Sequence, residues 1–208
     1  MALIKKGSAP LEANHRSAPR NQAGLVEQLA DDNPEVRRWA ALDLGEYPDS
    51  ADQLCAQLER ETHAPVREAL LTSLIRIGNP TVVKGLLPLL RSDDAALRNG
   101  AINALQHFPD AISPYMETML HDADSDYRIF TINILTNLRH PKTPHWLREV
   151  VENDKHINVC ATAVDLLAEV GGPEAIPALE ALPGRFNQDP FLRFATNVAV
   201  RRIRAEKS

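Results

Sequence analysis

The side chains best able to do chemistry in this chain are seven histidines and two cysteines. His156 and Cys160 stand four apart, a spacing that can put two zinc ligands on one helix face. Two ligands are too few to hold the ion, and no second Cys/His pair lies near them in sequence. His140 and His145 bracket His140-Pro141-Lys142-Thr143-Pro144-His145, which reads as a turn between elements. No glycine-rich phosphate cradle and no Gly-x-Ser-x-Gly elbow occurs. Asp43 and Asp165 are single carboxylates, expected to be solvated or capping groups. Cys55 and Cys160 are too few for a disulfide framework and read as small buried hydrophobes in a reducing compartment. The residues therefore predict no catalytic group, no metal and no cofactor.

The elements that position these residues read as helices. Apolar residues make up 44 % of the 208 and aromatics only 5 %, with Leu and Ala plentiful. Both are strong helix formers, and Ala lets helices approach closely. A net charge of −5 argues against general nucleic-acid binding, whose affinity comes largely from phosphate contacts. No stretch is apolar for long enough to span a membrane, and no secretory signal follows Lys5 and Lys6, so the expected location is cytoplasmic. Residues 1–22 read as a flexible basic tail, with Lys5, Lys6, Arg16 and Arg20 against Glu12. Residues 23–205 read as one repeat domain.

From residue 23 the chain repeats. An apolar residue, usually followed by Arg, anchors each unit: Val36, Val66, Leu97, Tyr127, Val159 and Leu192, at intervals of 30, 31, 30, 32 and 33 residues. Four residues on stand Ala40, Leu70, Ala101, Thr131, Ala163 and Thr196; eight on, Leu44, Leu74, Leu105, Leu135, Leu167 and Val200. Offsets of zero, four and eight share one helix face. A second apolar-periodic segment precedes each anchor helix, with turns such as Asp32-Asn33-Pro34 and Asp124-Ser125-Asp126 between them. Asp and Ser there can cap the next helix, and Pro suits its first turn. Gly45, Gly78 and Gly171 fall where a left-handed C-cap would need glycine. The predicted hairpins are 23–46, 49–77, 80–107, 109–138, 141–170 and 173–205. Such hairpins bury both faces only by stacking, which predicts an all-α superhelix, a solenoid of about six.

The run Val36-Arg37-Arg38-Trp39-Ala40-Ala41-Leu42-Asp43-Leu44-Gly45 resembles the repeat of the phycobilisome-lyase-like branch of HEAT proteins. The resemblance covers residues 23–205, with Asp43 where the pattern has a small residue and Cys160 where it has Arg. It implies an arginine–aspartate ladder linking Arg37, Arg67, Arg98, Arg128 and Arg193 with Asp32, Asp93, Asp124 and Asp189. The His-Glu pairs of metal-dependent HEAT hydroxylases are absent, and HEAT-type DNA glycosylases want a basic groove that this composition does not promise.

The resemblance also implies that each anchor helix lines the inner face of the stack. Positions three, six and ten after the anchor then form a strip for a partner: Trp39 and Leu42; Thr72 and Arg76; Asn103 and His107, with Asn99 beside them; Phe130, Asn133 and Asn137; Asp165 and Glu169. Asn is a poor residue for a helix interior, so its recurrence marks either a neutral polar face or a preformed hydrogen-bonding surface. Trp39 and Phe130 read as apolar anchors or as core. The function predicted is a non-enzymatic adaptor gripping an extended or helical protein segment, as a monomer or weak dimer, with no nucleic acid and no membrane. Similarity to HEAT-like proteins encoded beside chemosensory genes suggests bacterial signalling such as chemotaxis. The alternatives are a subunit of a bilin lyase or a HEAT-type nucleic-acid enzyme.

Overall fold

The computed structural model describes residues 19–205. Most of the tail expected over 1–22 lies outside the described residues. Its last part does not: Pro19 and Arg20 accept from Gln28 and Tyr47, and Arg20 pairs with Asp43. Among the described residues there is no strand.

Twelve α-helices follow one another: α1 (Gln22–Gln28), α2 (Pro34–Leu44), α3 (Ala51–Arg60), α4 (Ala64–Ile77), α5 (Pro80–Leu86), α6 (Ala95–Leu105), α7 (Pro109–Leu120), α8 (Ser125–Leu135), α9 (Thr143–Asn153), α10 (Ile157–Val170), α11 (Ile176–Arg185) and α12 (Pro190–Ala205). Taken in pairs they are the helical hairpins that the repeat predicts, within a few residues at each end. The chain divides into two compact units, one up to Gly85 and one from Leu86. In the first, α2 packs on α4 and each hairpin closes on itself. In the second, α6, α8, α10 and α12 stack in order, backed by α7, α9 and α11. The fold is all-α, of the HEAT-like solenoid kind.

Local chemistry sets the helix ends. Proline stands in the first turn of α2, α4, α7, α9 and α11, where its missing N–H costs nothing. Asn33, Asp94, Asp124 and Asp189 accept from backbone N–H groups of α2, α6, α8 and α12. Pro88 cannot extend α5, and the chain tightens there into the 3-10 turn Leu87–Arg91. Of the three glycines expected in a left-handed cap, only Gly78 takes one, at φ 59°. Gly45 remains right-handed and Gly171 is extended. Gly45 is needed for closeness instead: a Cβ there would lie 3.0 Å from Ser73 Oγ, where α2 meets α4.

The core is the face that the repeat marks. All six residues four after the anchor, and all six eight after it, are buried. Leu74 and Leu105 are fully enclosed. Val36, in the first hairpin, is the one anchor that stays half-exposed.

The expected arginine–aspartate ladder takes a different form. Four of the five repeat arginines reach back to the backbone carbonyl six residues earlier: Arg37 to Asp31, Arg67 to Glu61, Arg98 to Ser92 and Arg128 to Asp122; the fifth, Arg193, is exposed on α12 and does not join the ladder. Where a carboxylate joins, it comes from the turn of the following hairpin. Arg37 binds Glu61 through two bonds of 2.8 and 2.9 Å, and Arg128 binds Asp154 at 2.7 and 3.0 Å. Asp32 offers Arg37 only its carbonyl, while Asp124 and Asp189 serve as caps. The reason is reach: a guanidinium folded back onto its own turn points its other edge at the next one. In the fifth hairpin Cys160 replaces the arginine. Its thiol lies 3.4 Å from the equivalent Asp154 carbonyl, and Arg185 of α11 supplies a guanidinium to the same oxygen.

Candidate functional site

Helix α6 and helix α8 are neighbours in the second unit, and their polar faces meet in a shallow depression of about 340 Å³. Asn99, Asn103, Asn133 and Asn137 all line it, so the four asparagines singled out by their spacing are brought together. Two residues that sequence reasoning missed complete it. Gln106 donates to the Asn133 carbonyl at 3.0 Å and accepts from Asn137 Nδ2 at 3.2 Å. Thr136 closes the rim. Both stand nine residues after their anchors, next to the tenth position and on the same face; reading nine with ten would have found them. Gln106 thus fixes Asn137, whereas Asn99 and Asn103 present exposed carboxamides. Each carboxamide offers two donors and an acceptor, which suits ligands that alternate N–H and C=O groups.

The remaining predicted positions are placed differently. Phe130 is half-buried under the guanidinium of Arg98, 4.6 Å from the ring centroid. His107, Asp165 and Glu169 are exposed on α10 and at the end of α6. The Asp165 carboxyl is held above its ordinary value by partial loss of water and by the charge of Glu169. In the first unit Trp39 is 37 % exposed with Arg38 stacked on it, and Leu42 is half-buried. Thr72 donates to the Glu68 carbonyl, and Arg76 pairs with Glu46 at 2.6 Å. These last two side chains hold their own helices and neighbours together.

A second concavity of about 390 Å³ lies between α7 and α9 on the other side of the hairpins. Leu120, Trp146 and Val150 form its apolar wall, and Glu117, His121 and Lys155 its polar rim. His140 stacks on Trp146 with ring centroids 4.8 Å apart, which gives that histidine a packing role. Its partner in sequence, His145, belongs to the first turn of α9 rather than to the turn.

The thiols are poor nucleophiles. Burial pushes both Cys55 and Cys160 up to about 11. Cys160 points at backbone carbonyls and His156 is an exposed N-cap residue, so the two do not converge on one ion. Among the described residues no group of three or more His, Cys, Asp or Glu is placed to hold a metal. No helix among them is long and apolar enough to cross a membrane.

A family model described as HEAT repeats matches residues 22–106 and 112–196. Bilin biosynthesis protein PecE of Mastigocladus laminosus is 29 % identical over 171 residues, 76 % of this chain and 63 % of that one. The chain therefore spans less than two thirds of that relative's length. The protein called "Uncharacterized phycocyanin operon protein Z" of Pseudanabaena tenuis is 23 % identical over 190 residues, 86 % of this chain and 93 % of the other. Among solved structures, the complex of CpcE and CpcF of phycocyanin lyase from a Nostoc species aligns at a TM-score of 0.38 and 18 % identity, over 95 % of this chain and 98 % of that one. An archaeal HEAT-like repeats protein from Thermococcus onnurineus aligns at 0.42 and 15 %, over 88 % of each. The likeness to PecE corrects the expectation of a purely non-enzymatic protein. The relative that aligns over 171 residues is a bilin biosynthesis protein. Repeats and capping residues report the fold and carry no mark of an activity, so the residues alone pointed to no enzyme.

Proposed function

The chain belongs to the HEAT-repeat family, and from that premise we propose that it is a subunit of a bilin-lyase-type enzyme. The observation that carries this reading is the likeness to a bilin biosynthesis protein along 171 residues of a repeat array. Neither relative named above is a signalling protein by its name. The part this chain plays is binding and orientation. Cys160 is buried and Cys55 half-buried, and loss of water raises both thiols to about 11, which suits neither for a sulfur nucleophile. The asparagine depression between α6 and α8 is the surface on which we place the ligand. A bilin is an open-chain tetrapyrrole whose edge alternates pyrrole N–H and lactam C=O groups. The carboxamides of Asn99 and Asn103 match that alternation without needing a charge. Protein partners engage further positions in each unit by itself: Trp39 and Leu42 as apolar contacts in the first, and Asp165 and Glu169 as acidic ones in the second. The compartment that fits this reading is the cytoplasm.

The test is a titration of a free bilin into the purified chain, read by visible absorption and visible circular dichroism. A pigment held in one conformation gains induced dichroism and a shifted band. A spectrum that stays the sum of its components at large protein excess removes the bilin reading.

A further inference from the structure

Helix α12 carries an exposed apolar stripe that the repeat stack does not use. Its inner face, Leu192, Thr196, Ala199 and Ile203, is buried against α10 and α11. On the opposite face Phe191, Phe194 and Val198 are 59 %, 70 % and 46 % exposed. They are three of the five large hydrophobics left exposed among the described residues, and all lie on one helix. A contiguous apolar stripe there marks a contact surface.

The spacing of the stripe says what covers it. Phe191, Phe194, Val198 and exposed Arg201 follow at intervals of three, four and three. That order is symmetric about residue 196. Two copies of α12 laid antiparallel across a two-fold axis therefore set Phe194 on the other copy's Val198, and Arg201 over the other copy's Phe191. The second contact is a cation–π pair. The two Arg201 side chains end about 15 Å apart along the helix, at a rise of about 1.5 Å per residue. That exceeds the screening length of about 8 Å at physiological salt, so their repulsion is small. Of the other arginines on α12, Arg202 lies 3.8 Å from Glu169 and Arg204 is 2.9 Å from Glu180, while Arg193 is exposed next to Phe194 in the chain. We propose that the outer face of α12 is an isologous docking surface for a second copy of this chain. The proposal is independent of the bilin reading.

Sedimentation of the full-length chain over a wide concentration range tests it. The mass is expected to rise from the 23.0 kDa of one chain toward twice that value. Phe194→Glu should hold the mass at one chain while leaving the helical spectrum unchanged, because the residue is exposed. Phe191→Glu should keep the dimer, since it sets a carboxylate against the other copy's Arg201. Adding Arg201→Glu to that variant should then weaken the dimer by about ten-fold or more, by setting carboxylate against carboxylate. A single-chain mass at every concentration overturns the proposal. So does a dimer indifferent to Phe194→Glu, or one that the added Arg201→Glu leaves as tight as before.

Discussion

Glu61 is almost fully buried and yet ionised. Its carboxyl is lowered to about 2, first by the hydrogen bonds from Arg37 and then, against the cost of burial, by the His63 N–H and Gln57. A group with a depressed folded value contributes stability that is whole above its ordinary value of 4.5 and lost as the pH falls through about 2. The contribution at neutral pH is about 3 kcal/mol at most, at about 1.36 kcal/mol per unit. Urea midpoints of the wild-type chain should therefore fall between pH 4.5 and 2. Glu61→Gln should start lower and lose less over the same range. An equal acid slope in both proteins would contradict this assignment. The thiols make a second residue-scale prediction. With both values near 11, Cys55 and Cys160 should react with an aromatic disulfide reagent at pH 8 at least ~10-fold more slowly than free cysteine, whose value is about 8.5. Two fast equivalents in the native chain would show that the thiols are not enclosed.

At the scale of the element, the stack rests on leucines at one repeating position. Leu74, Leu105 and Leu135 are at most 1 % exposed. Replacing any of them by Ala should cost about 2–5 kcal/mol, read as a lower denaturation midpoint with an unchanged slope. Gly85 sits where α5 closes on α3, and a Cβ there would lie 2.4 Å from Cys55 Sγ. Gly85→Ala should thus destabilise the first unit by about 1–3 kcal/mol, and Cys55→Ala should relieve part of that loss. The same two elements show why legibility stopped where it did. The period of the repeat located every anchor helix, because burial of one face leaves its mark in the one-dimensional pattern. The partner of Arg37 was not in that pattern. Glu61 is set by a turn twenty-four residues on, where the sequence shows only one acidic residue among many. Arg185 covering the gap left at Cys160 was equally hidden, since it comes from the next hairpin.

At the scale of the whole molecule, function depends on which polar positions converge. The recurrence of Asn was legible because Asn weakens a helix interior and so stands out. Gln106 and Thr136 were not, since both residue types are unremarkable on an exposed helix face. The proposed enzyme role was illegible for a related reason: ligand binding through carboxamides, as we propose it, needs no motif, and the proposal rests on likeness to a bilin biosynthesis protein along the chain. We propose that the α6–α8 asparagine face holds a bilin. The most direct measurement is a visible-dichroism titration of one bilin into the wild-type chain and into Asn103→Ala/Asn133→Ala. Helical content should be equal or higher in the variant, because Ala is the better helix former. Bilin affinity should fall by about 10-fold or more, the equivalent of about 1–3 kcal/mol for hydrogen-bonding groups left unpaired. Equal induced dichroism and equal affinity in the two proteins would contradict bilin binding at this face.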